Sequence, residues 1–258
     1  MKEFIGVFDS GLGGLTTVKE LIRQMPQENI VFLADNKNMP YGSKTREEIR
    51  NFTLNNSLFL KKFNLKALII ACNTSESNAR DLIEENIDVP VYGVIEPAVR
   101  KAIASTKNKK IGLFATSLTV KSKRYDNLLA KYDKDITLYS IECPKLVPLI
   151  ENGKFTLDDK EMSDTIDEYL EPLLKENIDT LILGCTHYDV LSDIIKNKHP
   201  QLNIVSSSRC VIDEVKNELI LNDENSSEKR YFTTSLNERF VKVSKMIIND
   251  IEYENADI

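Results

Sequence analysis

Apolar positions in this chain fall into short unbroken runs separated by stretches of helical spacing, and one run is used twice. Asn64 to Thr74, NLKALIIACNT, returns 113 residues later as Asn177 to His187, NIDTLILGCTH. Each copy closes on a cysteine, passes through small polar residues and enters a helical pattern. Four consecutive hydrophobes with β-branched members suit a parallel strand buried on both faces, and the polar residues suit a strand-to-helix turn. Ile5 to Ser10, IGVFDS, is likewise echoed by Ile111 to Thr116, IGLFAT, at an offset of 106. The two repeats predict two similar halves rather than one long sheet.

The rest of the chain fills in around them. Strands are expected at Glu3 to Phe8, Asn29 to Ala34, 89–94, 136–142, 180–184 and 202–206. A helix over Leu15 to Gln24 is closed by Pro26, and Thr45 with Glu48 forms a capping box opening a helix that runs to Phe63. The stretch DNKNMPYGSK (35–44) is a loop, and another helix follows Glu96-Pro97 to Ser105. Asn222 to Arg230 is polar and reads as a surface loop, after which YFTTS and a helical pattern from Leu236 to Ile248 need a core to pack on. This βαβα order predicts an α/β fold with mostly parallel sheets and helices on both faces. One domain is expected to comprise residues 1–96 plus 207–258, the tail returning to it, and a second 97–206.

Cys72 and Cys185 then occupy equivalent turns. In open α/β sheets ligands bind beyond the carboxyl ends of the strands, where residues at such turns point. Two thiols so placed are able to face one ligand from opposite sides; the competing reading is that both are small buried hydrophobes. A thiol acts as base or nucleophile through an accessible thiolate, which a helix N-terminus favours. Thiols on either side of one carbon suit proton removal on one side and delivery on the other, with Asp9 and His187 as the neighbouring proton carriers. Asp9 also reads as a simple helix N-cap.

Composition narrows the field. Hydrophobic content of 41% and charged content of 29% describe an ordinary globule, and a net charge of −6 gives no nucleic-acid footprint. No run approaches the ~18 apolar residues of a membrane span, and FIGVF is broken at once by Asp9, Ser10 and Gly11, so no signal segment is expected. The four cysteines include no C-x-x-C pair and read as reduced thiols of a cytoplasmic protein. GLGG at 11–14 lacks the third glycine of a dinucleotide fingerprint, since Thr16 stands there. Gly11 and Gly13 are expected to allow a tight turn and expose backbone N–H groups to a carboxylate or phosphate. Of the two histidines, His199 reads as exposed and His187 as the one near a site. A metal site from Cys72, Cys185 and His187 lacks the usual ligand pattern and is not expected.

Taken in order, FDSGLGGLT, DNKNMPYGS, ACNTS, GVIEP, ATSLTVKS, CPKLVPLIENG, LGCTHY and the late FTTS resemble the glutamate racemases of the cofactor-independent aspartate/glutamate racemase superfamily. The resemblance covers nearly the whole chain. It implies two flavodoxin-like domains related by a pseudo-two-fold axis with the active site in the cleft between them. It also implies a two-base proton transfer between L- and D-glutamate without a cofactor. Cys72 would take the α-proton of D-glutamate and Cys185 that of L-glutamate; Asp9 would support Cys72, and Glu151 and His187 would support Cys185. Substrate would be held at Asp9, Ser10, Tyr41, Gly42, Asn73, Thr74, Thr119, Thr186 and His187. The product would serve peptidoglycan and so cell-wall biogenesis and cell shape, in a cytoplasmic enzyme that is a homodimer with no membrane attachment.

Glu76 and Asp189 depart from the family pattern and again differ by 113. Each is expected to form a capping-box contact at the helix following its cysteine, the alternative being two unrelated solvent-facing acids. SSSRC (206–210) stands where the family often has Asp-Ser, leaving that turn without a role. The alternative activities are racemisation of aspartate or another acidic amino acid, non-catalytic amino-acid binding on the same fold, and a flavodoxin-like FMN protein.

Overall fold

A computed structural model of the chain describes residues 2–222 and 227–258. Its first sheet is built from β1 (Phe4–Asp9), β2 (Asn29–Ala34), β3 (Leu65–Ile70) and β4 (Val91–Gly93), with α1 (Gly14–Gln24), α2 (Arg46–Leu60) and α3 (Asn73–Asn86) between them. The chain crosses to the second half through α4 (Ile95–Ser105). There β5 (Lys110–Ala115), α5 (Ser117–Lys121), α6 (Arg124–Tyr132), β6 (Thr137–Glu142), α7 (Leu146–Glu151), α8 (Lys160–Lys175), β7 (Thr180–Gly184), α9 (Ser192–Lys198) and β8 (Asn203–Ser206) follow. It returns through α10 (Ser207–Glu218), β9 (Lys229–Thr233), α11 (Glu238–Ile247) and β10 (Tyr253–Asn255).

All the pairings are parallel: the first sheet has the order β10-β9-β2-β1-β3-β4 and the second β6-β5-β7-β8. The order β2-β1-β3-β4 is therefore reproduced as β6-β5-β7-β8. Register is reproduced too, because Phe8 opposes Ile70 while Phe114, 106 residues on, opposes Leu183. The unbroken apolar runs arise because helices cover both faces of the first sheet. In β2, Ile30, Phe32 and Ala34 enter the large cluster shared with the second half, and Val31 and Leu33 enter a separate cluster on the far face. The shared cluster also takes Ile111 and Leu113 of β5 and Leu181 to Leu183 of β7, so one continuous core lies between the sheets.

Three elements differ from the sequence reading. Lys229 and Arg230 belong to β9, paired with Ile30 and Val31, rather than to a loop; residues 223–226 of that expected loop lie outside the described residues. The edge strand β10 was not anticipated, being three residues long. After Cys185 the chain enters a 3-10 turn (Thr186–Leu191), with Tyr188 N–H bonded to the Cys185 carbonyl at 2.9 Å, instead of an α-helix. The Thr45–Glu48 capping box is present in both directions. No helix among the described residues is long and apolar enough to cross a membrane.

Candidate active site

The carboxyl ends of the two sheets face each other across a cavity of about 410 Å³, within the range of small-molecule sites. Cys72, the N-cap residue of α3, lines it from one half, and Cys185, at the end of β7, lines it from the other. Both side chains are nearly buried, at 5% and 7% exposure. Ser10, Tyr41, Gly42, Asn73, Thr74, Thr186 and His187 also reach the cavity wall. Asp9, Glu151 and Thr119 do not: they stand behind it, against residues that do.

The two cysteines sit in different electrostatic settings. Burial pushes the Cys72 thiol up to about 12, and the charge of Asp9 adds to the effect, against the lowering influence of Ser75 and of the Ser10 hydroxyl, which lies 3.6 Å from Sγ. Cys185 Sγ lies 3.8 Å from His187 Nδ1, and His187 Nε2 meets Glu151 Oε1 at 2.7 Å. Burial opposes charge on this imidazole, yet its interactions with Cys185 and Glu151 outweigh that and hold its pKa well above the ordinary histidine value. An imidazolium beside a sulfur favours its thiolate. With only a 3-10 turn after Cys185, that support comes from the histidine and not from a helix dipole.

Asp9 is fully buried, and burial raises its pKa against the lowering influence of His187 and of the Gly11 N–H. Its Oδ1 accepts the Gly11 N–H at 3.0 Å and its Oδ2 the Thr186 hydroxyl at 2.9 Å. The glycines thus act otherwise than expected: the Gly11 N–H is taken by Asp9, and Gly13, the N-cap residue of α1, has ordinary helical geometry (φ −56°) with no side-chain cap. What Gly13 supplies is space, since a Cβ there would lie 2.4 Å from His187 Nδ1.

Several wall residues are spoken for. The Tyr41 hydroxyl donates to Asp35 at 2.5 Å and accepts from Asn56 at 3.0 Å, so it is engaged within the first half although the residue lines the cavity. Asn73 accepts from the Tyr125 hydroxyl at 2.7 Å, and Thr74 hydroxyl meets those of Thr116 (3.0 Å) and Thr119 (3.3 Å) from the other half. Sequence reasoning passed over Thr116, Lys44 and Lys121, all of which line the cavity inside motifs already singled out. Their signal was present in YGSK and ATSLTVKS, but nothing in a linear motif says which side of a helix faces a ligand. The lining carries Lys44, Lys121 and His187 and no carboxylate, a charge balance that suits an anionic ligand. Among the described residues no group of three or more His, Cys, Asp or Glu is placed to hold a metal ion.

The sequence profile of the Asp/Glu/Hydantoin racemase family matches residues 5–215. The chain belongs to this family. A glutamate racemase of Sulfurihydrogenibium sp. (strain YO3AOP1) is 40% identical over 255 residues, covering 98% of this chain and 97% of that protein. One from Persephonella marina is 41% identical over 256 residues, with the same coverage of both. Among solved structures, glutamate racemase RacE1 of Bacillus anthracis superposes with a TM-score of 0.92 at 38% identity, covering 99% of this chain and 98% of that one. The Francisella tularensis glutamate racemase, solved with D-glutamate, gives 0.89 at 32% identity, covering 100% and 97%. As an Asp/Glu racemase family member the chain is an isomerase, an amino-acid racemase, and its two parallel sheets are those of the two-domain racemase fold.

Proposed function

We propose that this racemase interconverts L- and D-glutamate by removing the α-proton with one of Cys185 and Cys72 and delivering the other cysteine's proton to the opposite face of Cα. The observation that carries the reading is the pair of sulfurs on the wall of one cavity, one from each half, in a lining whose charged groups are all basic. The unequal settings of the sulfurs support a resting state with one base and one acid. Cys185, beside a charged His187, removes the α-proton of L-glutamate as thiolate; Cys72, kept protonated by burial, delivers its proton to the opposite face. The reverse direction begins with the roles exchanged. Proton and charge balance, because each turnover leaves one sulfur protonated and the other not.

In this reading His187 holds charge next to Cys185, Glu151 orients and charges His187, and Asp9 holds Thr186 at the second turn. Lys44 and Lys121, with the hydroxyls and backbone N–H groups of Ser10, Thr74, Gly42 and Thr186, bind the two substrate carboxylates. The proposed units are 1–96 plus 207–258 and 97–206. The proposed setting is a cytoplasmic homodimer supplying D-glutamate to peptidoglycan. Chiral product analysis with L-glutamate and L-aspartate as separate substrates tests the assignment: rapid formation of D-glutamate with little D-aspartate is expected, and preferential turnover of aspartate would replace it.

A further inference from the structure

Glu76 and Asp189, each four residues after a cysteine, do not cap the helices they stand in. Cys72 at the start of α3 has no side-chain cap. Instead Glu76, at 2% exposure, sends Oε2 to the backbone N–H of Ile95 at 2.7 Å, the first residue of α4. Its Oε1 takes Arg80 Nη1 at 3.2 Å, while Arg80 Nη2 reaches the carbonyl of Val91 in β4. Asp189 Oδ2 accepts the N–H of Ser208 at 3.1 Å, in the first turn of α10. Its Oδ1 is closed from solvent and has no partner among the described residues.

These contacts are copies of one another. From Cys72 to Cys185, from Glu76 to Asp189 and from Ile95 to Ser208 the offset is 113 in every case. The helices contacted are those that carry the chain between the halves: α4 packs on β7, β8 and α6 of the second half, and α10 packs on α1 of the first as well as on α4. Gly93 keeps a path open, since a Cβ there would fall 2.2 Å from the Glu76 carboxyl carbon. Ser208 fixes the other crossing, its hydroxyl meeting those of Thr16 (2.8 Å) and Thr17 (2.9 Å), while Ser207 meets Asn73. SSSRC thereby acquires its role. Two helix-capping contacts made at a distance, at both crossings, join each cysteine turn to a helix that carries the chain between the halves.

We infer that Glu76 and Asp189 are a matched pair of positioning residues that set where Cys72 and Cys185 stand relative to the cleft. The inference rests on the two-cysteine reading above. Each carboxylate ties its own cysteine turn to a crossing helix, so loosening either one displaces the sulfur on its own side only. A sulfur out of place by about 1 Å costs up to about a hundredfold in rate.

The test compares Glu76→Ala and Asp189→Ala in the full chain, with Glu76→Gln and Asp189→Asn as variants that keep an acceptor oxygen. Alanine should lower kcat about ten- to a hundredfold with KM within about threefold, and the amides should recover most of it. The deciding readout is the primary isotope effect with α-deuterated substrate. For Glu76→Ala it should rise with D-glutamate, whose proton Cys72 removes, and fall with L-glutamate; for Asp189→Ala the pattern should reverse. Equal changes from both substrates, or an unchanged kcat, would overturn the inference and leave the acids as structural caps. If Glu76→Ala does not fold, Gly93→Ala takes its place, displacing the carboxylate without removing it. Parallel assays of Cys72→Ser and Cys185→Ser separate the outcomes, because parental racemisation by either serine variant would strike the underlying mechanism and not the positioning.

Discussion

Replacing Gly13 by alanine puts a methyl group where the two halves meet. The added Cβ would lie 2.4 Å from His187 Nδ1, 2.7 Å from Thr186 Oγ1 and 2.8 Å from His187 Cε1. Contacts between heavy atoms are comfortable at about 3.5 Å, so the imidazole has to retreat by about 1 Å. It has nowhere to go without loss, being 2% exposed, bonded to Glu151 at 2.7 Å and set against Cys185 at 3.8 Å. Thr186 is equally held, by Asp9 at 2.9 Å. Backbone strain does not enter, because φ is −56° at Gly13. Overpacking of this kind costs about 1–3 kcal/mol, or a fall in Tm of about 2–10 °C for a chain of this size. Displacing the group beside Cys185 by about 1 Å should cost about a hundredfold in kcat. Thermal melting and a chiral assay from L-glutamate measure both. A Gly13→Ala enzyme with kcat within twofold of the parent would refute the claim that His187 must stand where it does.

Other predictions follow from the same geometry. Glu151→Gln removes one of the influences that raise His187, so the alkaline limb of the kcat profile should move to lower pH; an unmoved limb would contradict the assigned pairing. Because the folded-state pKa of His187 is raised, the stability it contributes is fully present below about pH 6.5 and lost as pH rises through the raised value. Thermal melts of the parent and Glu151→Gln should therefore differ most at acidic to neutral pH and converge above that value. Iodoacetamide labelling of Cys72, whose thiol is pushed up to about 12, should climb about tenfold per pH unit between pH 7 and 10; a plateau near pH 8 would show its proton to be held less tightly. Lys121→Ala should raise KM for glutamate about three- to tenfold with a smaller change in kcat, and an unaltered KM would remove that lysine from carboxylate binding.

The fold was legible because the first sheet is covered on both faces, which turns its strands into the unbroken runs of 30–34 and 67–71, and because the duplication kept its offsets. The cysteine turns were legible for the same reason. What escaped were properties of pairs far apart in the chain. GLGG carries glycine for the approach of Thr186 and His187, 173 residues beyond Gly13 and more, which no local turn rule could supply. Glu76 looked like a capping residue and is one, but for the helix beyond the next strand. Tyr41 lines the cavity, but that Asp35 and Asn56 engage its hydroxyl was not legible from its motif. Lys229 and Arg230 looked like loop because their charges project from a strand that finds its partner in β2, about 200 residues earlier.

The central claim is that two sulfurs, one from each half, act on the same α-carbon, one removing its proton and the other delivering a different one to the opposite face. The most direct measurement is the fate of the α-hydrogen of L-glutamate in deuterated water with the parent enzyme, Cys72→Ser and Cys185→Ser. The parent should form D-glutamate bearing deuterium at Cα, and each serine variant should lose about 10²- to 10⁴-fold in net racemisation. Racemisation at the parental rate with either cysteine replaced, or D-glutamate formed without solvent deuterium at early times, would contradict it.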